Sequence, residues 1–204
     1  MPFNNKSGTY IYTMNGDEVV REPWKIDADG EGNRSITSAR ISEQFGIRID
    51  MTASETVDST SYEFLFKDLK TRNDTARGFY KVENKDIFFK AAQTDDWETI
   101  TTGNFFFPLM RVFTGDLIQQ VIGVGGTANI IIPDIRTPAD SAALYKPLAS
   151  YREVKADPDR PNVFHYLGGH YKTAVPVTLN KQGLMSHYAW TTPDGSEWVC
   201  RNYM

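Results

Sequence analysis

Alternation of apolar and polar residues over short segments is the sequence feature that most restricts the fold. Ile47, Ile49 and Met51 alternate with charged or hydroxyl residues, and Tyr62 and Phe64 repeat the pattern further along the chain. A period of two is typical of β-strands with one buried face. Because this pattern recurs over most of the chain, whereas helical periodicity dominates one region, the sequence predicts a mostly antiparallel β-sheet.

The residues between these segments predict tight turns. Asn15-Gly16 is a dipeptide that strongly favours a two-residue hairpin, and Gly183 and Gly195 end two further turn sequences. Hairpins join strands that are neighbours in the chain. We therefore predict an up-and-down strand order, closed or half-closed into a barrel.

One region departs from this pattern. After Pro108, apolar residues recur at helical spacing, which predicts a helical plug near residues 108–122. A second interpretation starts the helix with Thr114 as its N-cap and stops it at Gly123. The predicted fold class is mainly β (α+β): a curved antiparallel sheet or barrel-like half-barrel of about a dozen strands around the plug, in one domain over residues 1–204.

Charge and composition argue against several classes of protein. The 26 Asp and Glu residues outnumber the 22 Lys and Arg residues, and the net charge of −4 leaves no basic footprint for nucleic acid. No stretch approaches the roughly 18 apolar residues of a membrane-spanning helix, so we expect no integral membrane segment. No secretory signal is visible, which favours a cytoplasmic protein, or a periplasmic one if a signal peptide has been removed. The oligomeric state stays open.

The sequence predicts neither a metal nor a cofactor. The segment from Gly123 to Ala128 fits a loose dinucleotide-binding pattern. Such a site needs a strand before its glycines and a helix after them, and here the predicted order is reversed. The spacing of the three histidines, His165, His170 and His187, does not bring them to one point on continuous strands.

Charged residues in phase with apolar ones mark the candidate binding site. Glu22 lies between Val20 and Trp24 on one predicted strand face, and Arg40 shares a face with Ile36. A buried charge is costly unless it is paired. Three interpretations stay open: a structural pair of Glu22 and Arg40 across a hairpin, a strand face that is turned to solvent at this point, or a cavity whose charged end orients a ligand.

Arg111 and a set of aromatic residues extend this candidate site. For Arg111 two placements fit the sequence: a solvent-exposed pair with Asp116, or projection into the mouth of the barrel. The aromatic residues suit an ordinary core, but a buried phenol needs a hydrogen-bond partner, which favours a cavity. The expected ligand-binding residues are Tyr10, Tyr12, Glu22, Trp24, Arg40, Tyr62, Arg111, Tyr171, Tyr188 and Trp190.

The opening of the chain resembles a family of bacterial carriers. Its pattern Gly8-x-Tyr10-x-Tyr12, then Asn15-Gly16 and Glu22-Pro-Trp24-x-Ile26, is similar to the lipoprotein-carrier-like families of the LolA and LolB type. In that fold a half-barrel of antiparallel strands wraps a helix over an apolar cavity. The resemblance implies a curved sheet, a helical plug and a lipid-like ligand, and it implies no particular site residue.

Two functions from different classes fit these features. The first is binding of a hydrophobic or amphipathic small molecule, with Glu22, Arg40 or Arg111 at the polar end of the cavity. The second is a cofactor-free, metal-free enzyme, such as a cyclase, isomerase or hydrolase, that acts on an apolar substrate with an acid/base pair. A structural protein that pairs through strand edges is a third. An acid or base in the cavity without a structural partner would favour the enzyme.

Overall fold

A computed structural model describes most of the chain. The described residues are 5–29, 31–71, 75–102, 104–135, 144–169 and 171–204. His170, one of the histidines considered as metal ligands, lies outside them. Within these residues no helix is both long and apolar enough to span a membrane.

Strands make up most of the described residues, which confirms the mainly β fold class. The strands are β1 (Lys6–Met14), β2 (Asp17–Ala28), β3 (Arg34–Ser42), β4 (Ile47–Glu55), β5 (Ser59–Asp68), β6 (Thr75–Glu83), β7 (Asp86–Lys90), β8 (Glu98–Thr102), β9 (Phe105–Phe106), β10 (Thr127–Pro133), β11 (Pro147–Ala156), β12 (Val163–Gly168), β13 (Tyr171–Leu179), β14 (Met185–Thr191) and β15 (Glu197–Tyr203). A 3-10 turn (Arg111–Phe113) leads into the helix α1 (Thr114–Gly123).

These strands form one sheet with the predicted up-and-down order. Two antiparallel meanders, β1 to β8 and β10 to β15, are joined by the antiparallel pair of β1 and β15. The short strand β9 runs parallel to β10 at one edge. The predicted hairpin at Asn15-Gly16 is present, with φ values of 53° and 97°. Both residues therefore have the positive φ that the tight hairpin turn requires.

The two edges of the sheet, β8 and β9, come close together. They are consecutive in the chain, and the three residue steps from Thr102 to Phe105 span at most about 11 Å. A sheet of fifteen strands can bring its edges this near only by curling around on itself. The sheet is therefore strongly curved and barrel-like, as the alternating segments and hairpins predicted.

Aromatic rings from opposite walls meet inside this curve. Phe106 of β9 stacks on Tyr80 of β6 with ring centroids 4.5 Å apart and lies 4.8 Å from the ring of Tyr62 on β5. Tyr145 stacks on Phe64 at 5.3 Å, and its carbonyl accepts a hydrogen bond from the Tyr80 hydroxyl. Large buried rings contribute strongly to core stability, so these contacts hold the two edge regions together.

The helical plug begins later than the predicted boundary at residue 108. Leu109 has a φ of +61°, a left-handed conformation that does not occur in a right-handed helix. Residues 108–110 therefore precede the helix. Thr114 is the first residue of α1 and Phe113 is its N-cap, so the alternative that made Thr114 the N-cap is off by one residue, while its stop at Gly123 agrees with the structure.

Two glycines of α1 provide a matched test of how the plug packs. A Cβ on Gly115 would lie 1.8 Å from the carbonyl oxygen of Gly183, in the turn between β13 and β14, whereas a Cβ on Gly123 would meet nothing within 4 Å. Helix propensity alone favours alanine by about 1 kcal/mol. We expect Gly115→Ala to lower the free energy of unfolding by about 1–3 kcal/mol through overpacking. Gly123→Ala should leave it unchanged or raise it. Denaturant unfolding measures both, and equal effects would show that α1 does not pack against this turn.

Candidate functional site

The carboxylate of Glu22 is the centre of a buried polar cluster. Its Oε2 accepts hydrogen bonds from the Tyr12 hydroxyl at 2.8 Å and from Nε and Nη2 of Arg40 at 3.0 and 2.9 Å. Its Oε1 accepts the backbone N–H of Arg111 at 2.5 Å and the Ser38 hydroxyl at 3.4 Å. The side chain is fully buried. Charge-assisted hydrogen bonds to both oxygens therefore compensate for the lost hydration of the carboxylate.

Strand register explains why Glu22 and Arg40 meet. The sheet pairs Arg21 of β2 with Ile41 of β3, so that the next position places Glu22 opposite Arg40. Val20, Glu22 and Trp24 alternate with outward-facing residues and are all buried, because the period of two carries the glutamate inward with its apolar neighbours. The closeness expected from the hairpin is thus present in the structure.

The Glu22–Arg40 pair also fixes the segment that enters the helical plug. Arg40 Nη2 donates to the carbonyl of Leu109 at 2.5 Å, while Glu22 accepts the backbone N–H of Arg111. Both bonds engage the backbone immediately after the positive φ of Leu109, a conformation that costs a non-glycine residue about 1–2 kcal/mol. The pair therefore stabilises the backbone conformation that directs the chain into the plug.

Arg111 projects towards the interior, which is the second of the two placements that fitted the sequence. Its Nε donates to the Tyr12 hydroxyl at 3.0 Å. Its guanidinium carbon lies 4.9 Å from the ring centroid of Tyr188 and 5.7 Å from that of Tyr12. Both distances are short enough for cation–π interactions. Arg111 thus links the buried cluster to the aromatic residues of the second meander.

Tyr171, Tyr188 and Trp190 continue the cluster as a group of packed rings. Tyr188 stacks on Trp190 with centroids 4.7 Å apart and planes within 7° of parallel, and Trp190 stacks on Trp198 at 5.3 Å. The hydroxyl of Tyr171 donates to that of Tyr188 at 3.0 Å. Burial raises the pKa of Tyr188 well above its usual range, against the opposing effect of Arg111, so this phenol stays neutral.

Tyr10, Trp24 and Tyr62 complete the set of predicted residues. Tyr10 pairs across the sheet with Glu22, and its ring packs on that of Trp24 with centroids 6.2 Å apart, so both residues lie beside the buried cluster. Tyr62 lies elsewhere, against Phe106. The structure therefore brings the predicted residues together around Glu22 and Arg111, with the exception of Tyr62.

Side chains nearly fill the interior next to this cluster. A much larger space lies elsewhere, at Tyr62. A void of about 10 Å³ is lined in part by Arg111, Tyr171 and Tyr188. It has room for about one water molecule, which is too little for the small molecule expected there. A cleft of about 690 Å³ opens between the ends of β3 to β6 and the helical plug. That volume is typical of small-molecule sites.

Aromatic rings form the floor of this cleft, and polar residues form its rim. The floor consists of Tyr62, Phe105, Phe106, Phe107, Phe113 and Leu117. Charged residues of the rim include Arg34, Glu55, Lys85 and Asp116. Apart from Tyr62, the sequence reasoning did not place these residues in a site. The signal available was the run of three phenylalanines between the strand pattern and the helical pattern.

Two carboxyl groups of the rim have raised pKa values. Burial raises the pKa of Glu55, and the ion pair with Arg34 at 2.5 Å opposes this shift. Asp116 is exposed at the rim, where desolvation by its surroundings raises its pKa against the opposing charge of Arg34, and no described residue donates a hydrogen bond to it. Raised carboxyl pKa values in a cleft are compatible with binding or acid–base chemistry. Across the described residues, His, Cys, Asp and Glu form no group of three that could hold a metal ion.

Comparison with known proteins identifies the fold alone. The chain is similar to the crystal structure of a beta-barrel-like protein of domain of unknown function DUF1849 from Brucella abortus, with a TM-score of 0.56 and 12% sequence identity over 96% of this chain and 94% of that chain. No protein-family model matches the chain, and neither does any curated protein. The similarity supports a barrel-like fold, and at this identity it carries no function.

The buried pair leads to a prediction of coupled stability losses. Glu22→Gln would leave the charge of Arg40 without its ion-pair partner, and Arg40→Met would do the same to Glu22. Each change is expected to lower the free energy of unfolding by about 3–5 kcal/mol. The double variant should lose less than the sum of the two, because it removes both charges together. Denaturant unfolding of the wild type and the three variants measures this coupling.

The matched control is the pair of Glu63 and Arg77, whose side chains are 46% and 57% exposed. Glu63→Gln should change stability by less than about 1 kcal/mol, because water already solvates both charges. Purely additive losses at positions 22 and 40, or losses as small as that of the control, would contradict a structural role for the buried pair.

Proposed function

We propose that the protein binds a hydrophobic or amphipathic small molecule in the cleft between the ends of β3 to β6 and the helical plug. The observation that carries this proposal is the combination of a volume of about 690 Å³ with a floor of aromatic rings. Small-molecule sites are typically concave and mostly apolar, with a few polar groups that fix orientation. Phe105 is only partly buried, so a ligand can gain binding energy by covering its ring.

The rim offers contacts to the polar part of such a molecule. Arg34, Glu55, Lys85 and Asp116 supply charges of both signs, and Gln119 and Gln120 of α1 supply amide groups. An amphipathic ligand would therefore place its apolar part on the floor and its polar part at the rim. The resemblance to lipoprotein-carrier-like families supports a lipid-like ligand, which is the finer part of this proposal.

The buried cluster would serve this site indirectly. Glu22 and Arg40 fix Leu109, and the chain then continues to Phe113, which lines the cleft. We therefore assign Tyr62 a direct contact with the ligand and the Glu22–Arg40 pair a positioning role. This assignment moves the polar end of the ligand from the buried cluster, where the sequence placed it, to the rim of the cleft.

Ligand binding can be tested with a fluorescent probe and by native mass spectrometry. N-phenyl-1-naphthylamine, whose fluorescence rises in apolar surroundings, should bind saturably, and dodecanoic acid should displace it. Phe105→Arg should weaken probe binding about tenfold or more, because it removes a ring from the floor and introduces a charge. Native mass spectrometry of freshly purified protein should reveal a co-purified small molecule.

Phe45→Arg is the control for this variant. Phe45 is exposed in the turn between β3 and β4 and does not line the cleft, so the same change there should leave probe affinity unchanged. Equal effects of the two changes would contradict binding at the cleft. Absence of both probe binding and a co-purified molecule would contradict the proposed function itself.

One observation favours a second function, a cofactor-free, metal-free enzyme such as a cyclase, isomerase or hydrolase. Asp116 lines the cleft with a raised pKa and accepts no hydrogen bond from a described residue, so its carboxyl group is available to a substrate as a general acid or base. For the hydrolase case, p-nitrophenyl dodecanoate is a suitable substrate. Asp116→Asn should abolish its turnover and retain probe binding. Turnover that survives in this variant would exclude Asp116 as the acid or base.

A further inference from the structure

Arg111 carries a positive charge into the interior that no described carboxylate neutralises. The oxygens of Glu22 are engaged by Arg40, by the hydroxyls of Tyr12 and Ser38 and by the backbone of Arg111. Through its side chain, Arg111 donates to a described residue only from Nε, to Tyr12. A guanidinium does not lose its proton in a protein. The cluster of Glu22, Arg40 and Arg111 therefore has two positive charges and one negative charge.

The surrounding phenols do not supply the missing negative charge. Burial raises the pKa of Tyr12 well above its usual range, as it does for Tyr188, so both rings stay neutral. Arg111 is partly buried, and its cation–π contacts contribute about 0.5–2 kcal/mol each, whereas complete burial of an unpaired ion costs several kcal/mol. The contacts offset only part of the cost of placing Arg111 there.

A second buried arginine increases this excess of positive charge. Arg152 is 2% exposed, its Nε has no hydrogen-bond partner, and it forms no ion pair with a described carboxylate. Its guanidinium carbon lies 5.8 Å from the ring centroid of Tyr166. Tyr166 also lines the void of about 10 Å³ beside Arg111. A second guanidinium therefore lies against one of the residues that line the void.

The lining of the void contains an unused hydrogen-bonding group. Thr114 is 4% exposed, lines the void, and its Oγ1 is buried without a hydrogen-bond partner. Thr114 is also the first residue of α1, which spans ten residues. The N–H groups and the dipole at a helix N-terminus favour a negative charge nearby. The N–H of Thr114 itself is bonded to the carbonyl of Arg111, so the groups of this region that line the void are the unpartnered hydroxyl of Thr114 and the guanidinium of Arg111.

We propose that this void is a binding site for one compact monovalent anion such as chloride, held by Arg111 and the hydroxyl of Thr114. A space of about 10 Å³ accepts a particle of roughly the size of one water molecule. A water molecule would satisfy the hydroxyl but would leave the charge of Arg111 uncompensated. Gluconate and sulfate are too large for the space. The site is separate from the cleft and does not rest on the proposed function.

The test is a chloride titration of protein stability at constant ionic strength, with sodium gluconate replacing sodium chloride. The unfolding midpoint should rise with chloride and then saturate, as expected for a ligand that binds the folded state alone. Thr114→Val, which keeps the side-chain shape and removes the donor, should weaken chloride affinity about tenfold or more. Arg111→Gln should remove the chloride dependence. Arg77→Gln, at an exposed arginine, should keep the full response.

Thr114→Val keeps the test decisive if Arg111→Gln does not fold. A chloride response that does not saturate, or that is equal in the wild type and Thr114→Val, would overturn the proposal. Crystals grown in sodium bromide give a direct check: an anomalous scatterer beside Arg111 and Thr114 supports the site. A water molecule in that position, with no anomalous signal, overturns it.

Discussion

The position of the helical plug relative to the sheet depends on the hydrogen bonds accepted by the carboxylate of Glu22. These bonds join parts of the chain that are distant in sequence. The carboxylate accepts hydrogen bonds from Tyr12 on β1, from Arg40 on β3 and from the backbone that enters the helical plug. Apolar contacts between a curved sheet and its contents are non-directional and permit several packings. A buried charge with several donors has few arrangements that satisfy it, so it specifies where the plug begins relative to the sheet.

The closure of the sheet depends on side chains rather than on a continuous ladder of hydrogen bonds. In the strand order, β8 and β9 stand at opposite edges and do not pair with each other. Phe106 and Tyr145 instead pack against Tyr80 and Phe64 of the opposite wall. Where the strand ends of β3 to β6 face the plug, this packing leaves the cleft open. The incomplete closure that gives the sheet its two edges thus also leaves space for a ligand.

Much of this fold could be predicted because strands with one buried face impose a period of two. Val20, Glu22 and Trp24 are all buried, so the pattern assigned the charged residue to the interior as reliably as its apolar neighbours. The start of the plug could not be predicted, because the positive φ of Leu109 is held by hydrogen bonds to residues 22 and 40 and has no local signal. The cleft was missed for a similar reason: Phe105 and Phe106 form a two-residue strand that pairs parallel to β10. Such pairing between distant segments leaves no periodicity to detect.

The distribution of charge shows how the interior and the surface of this protein differ. The whole chain has a net charge of −4, yet in the cluster of Glu22, Arg40 and Arg111 two guanidiniums accompany one carboxylate. A negative exterior does not attract anions over long distances, so an anion at Arg111 would be retained by the local field of that residue. That field acts in surroundings of low polarity and is weakly screened by salt. A small anion there would therefore act as a structural counter-ion of the plug, whereas recognition of an exchangeable ligand would be left to the open cleft at Tyr62.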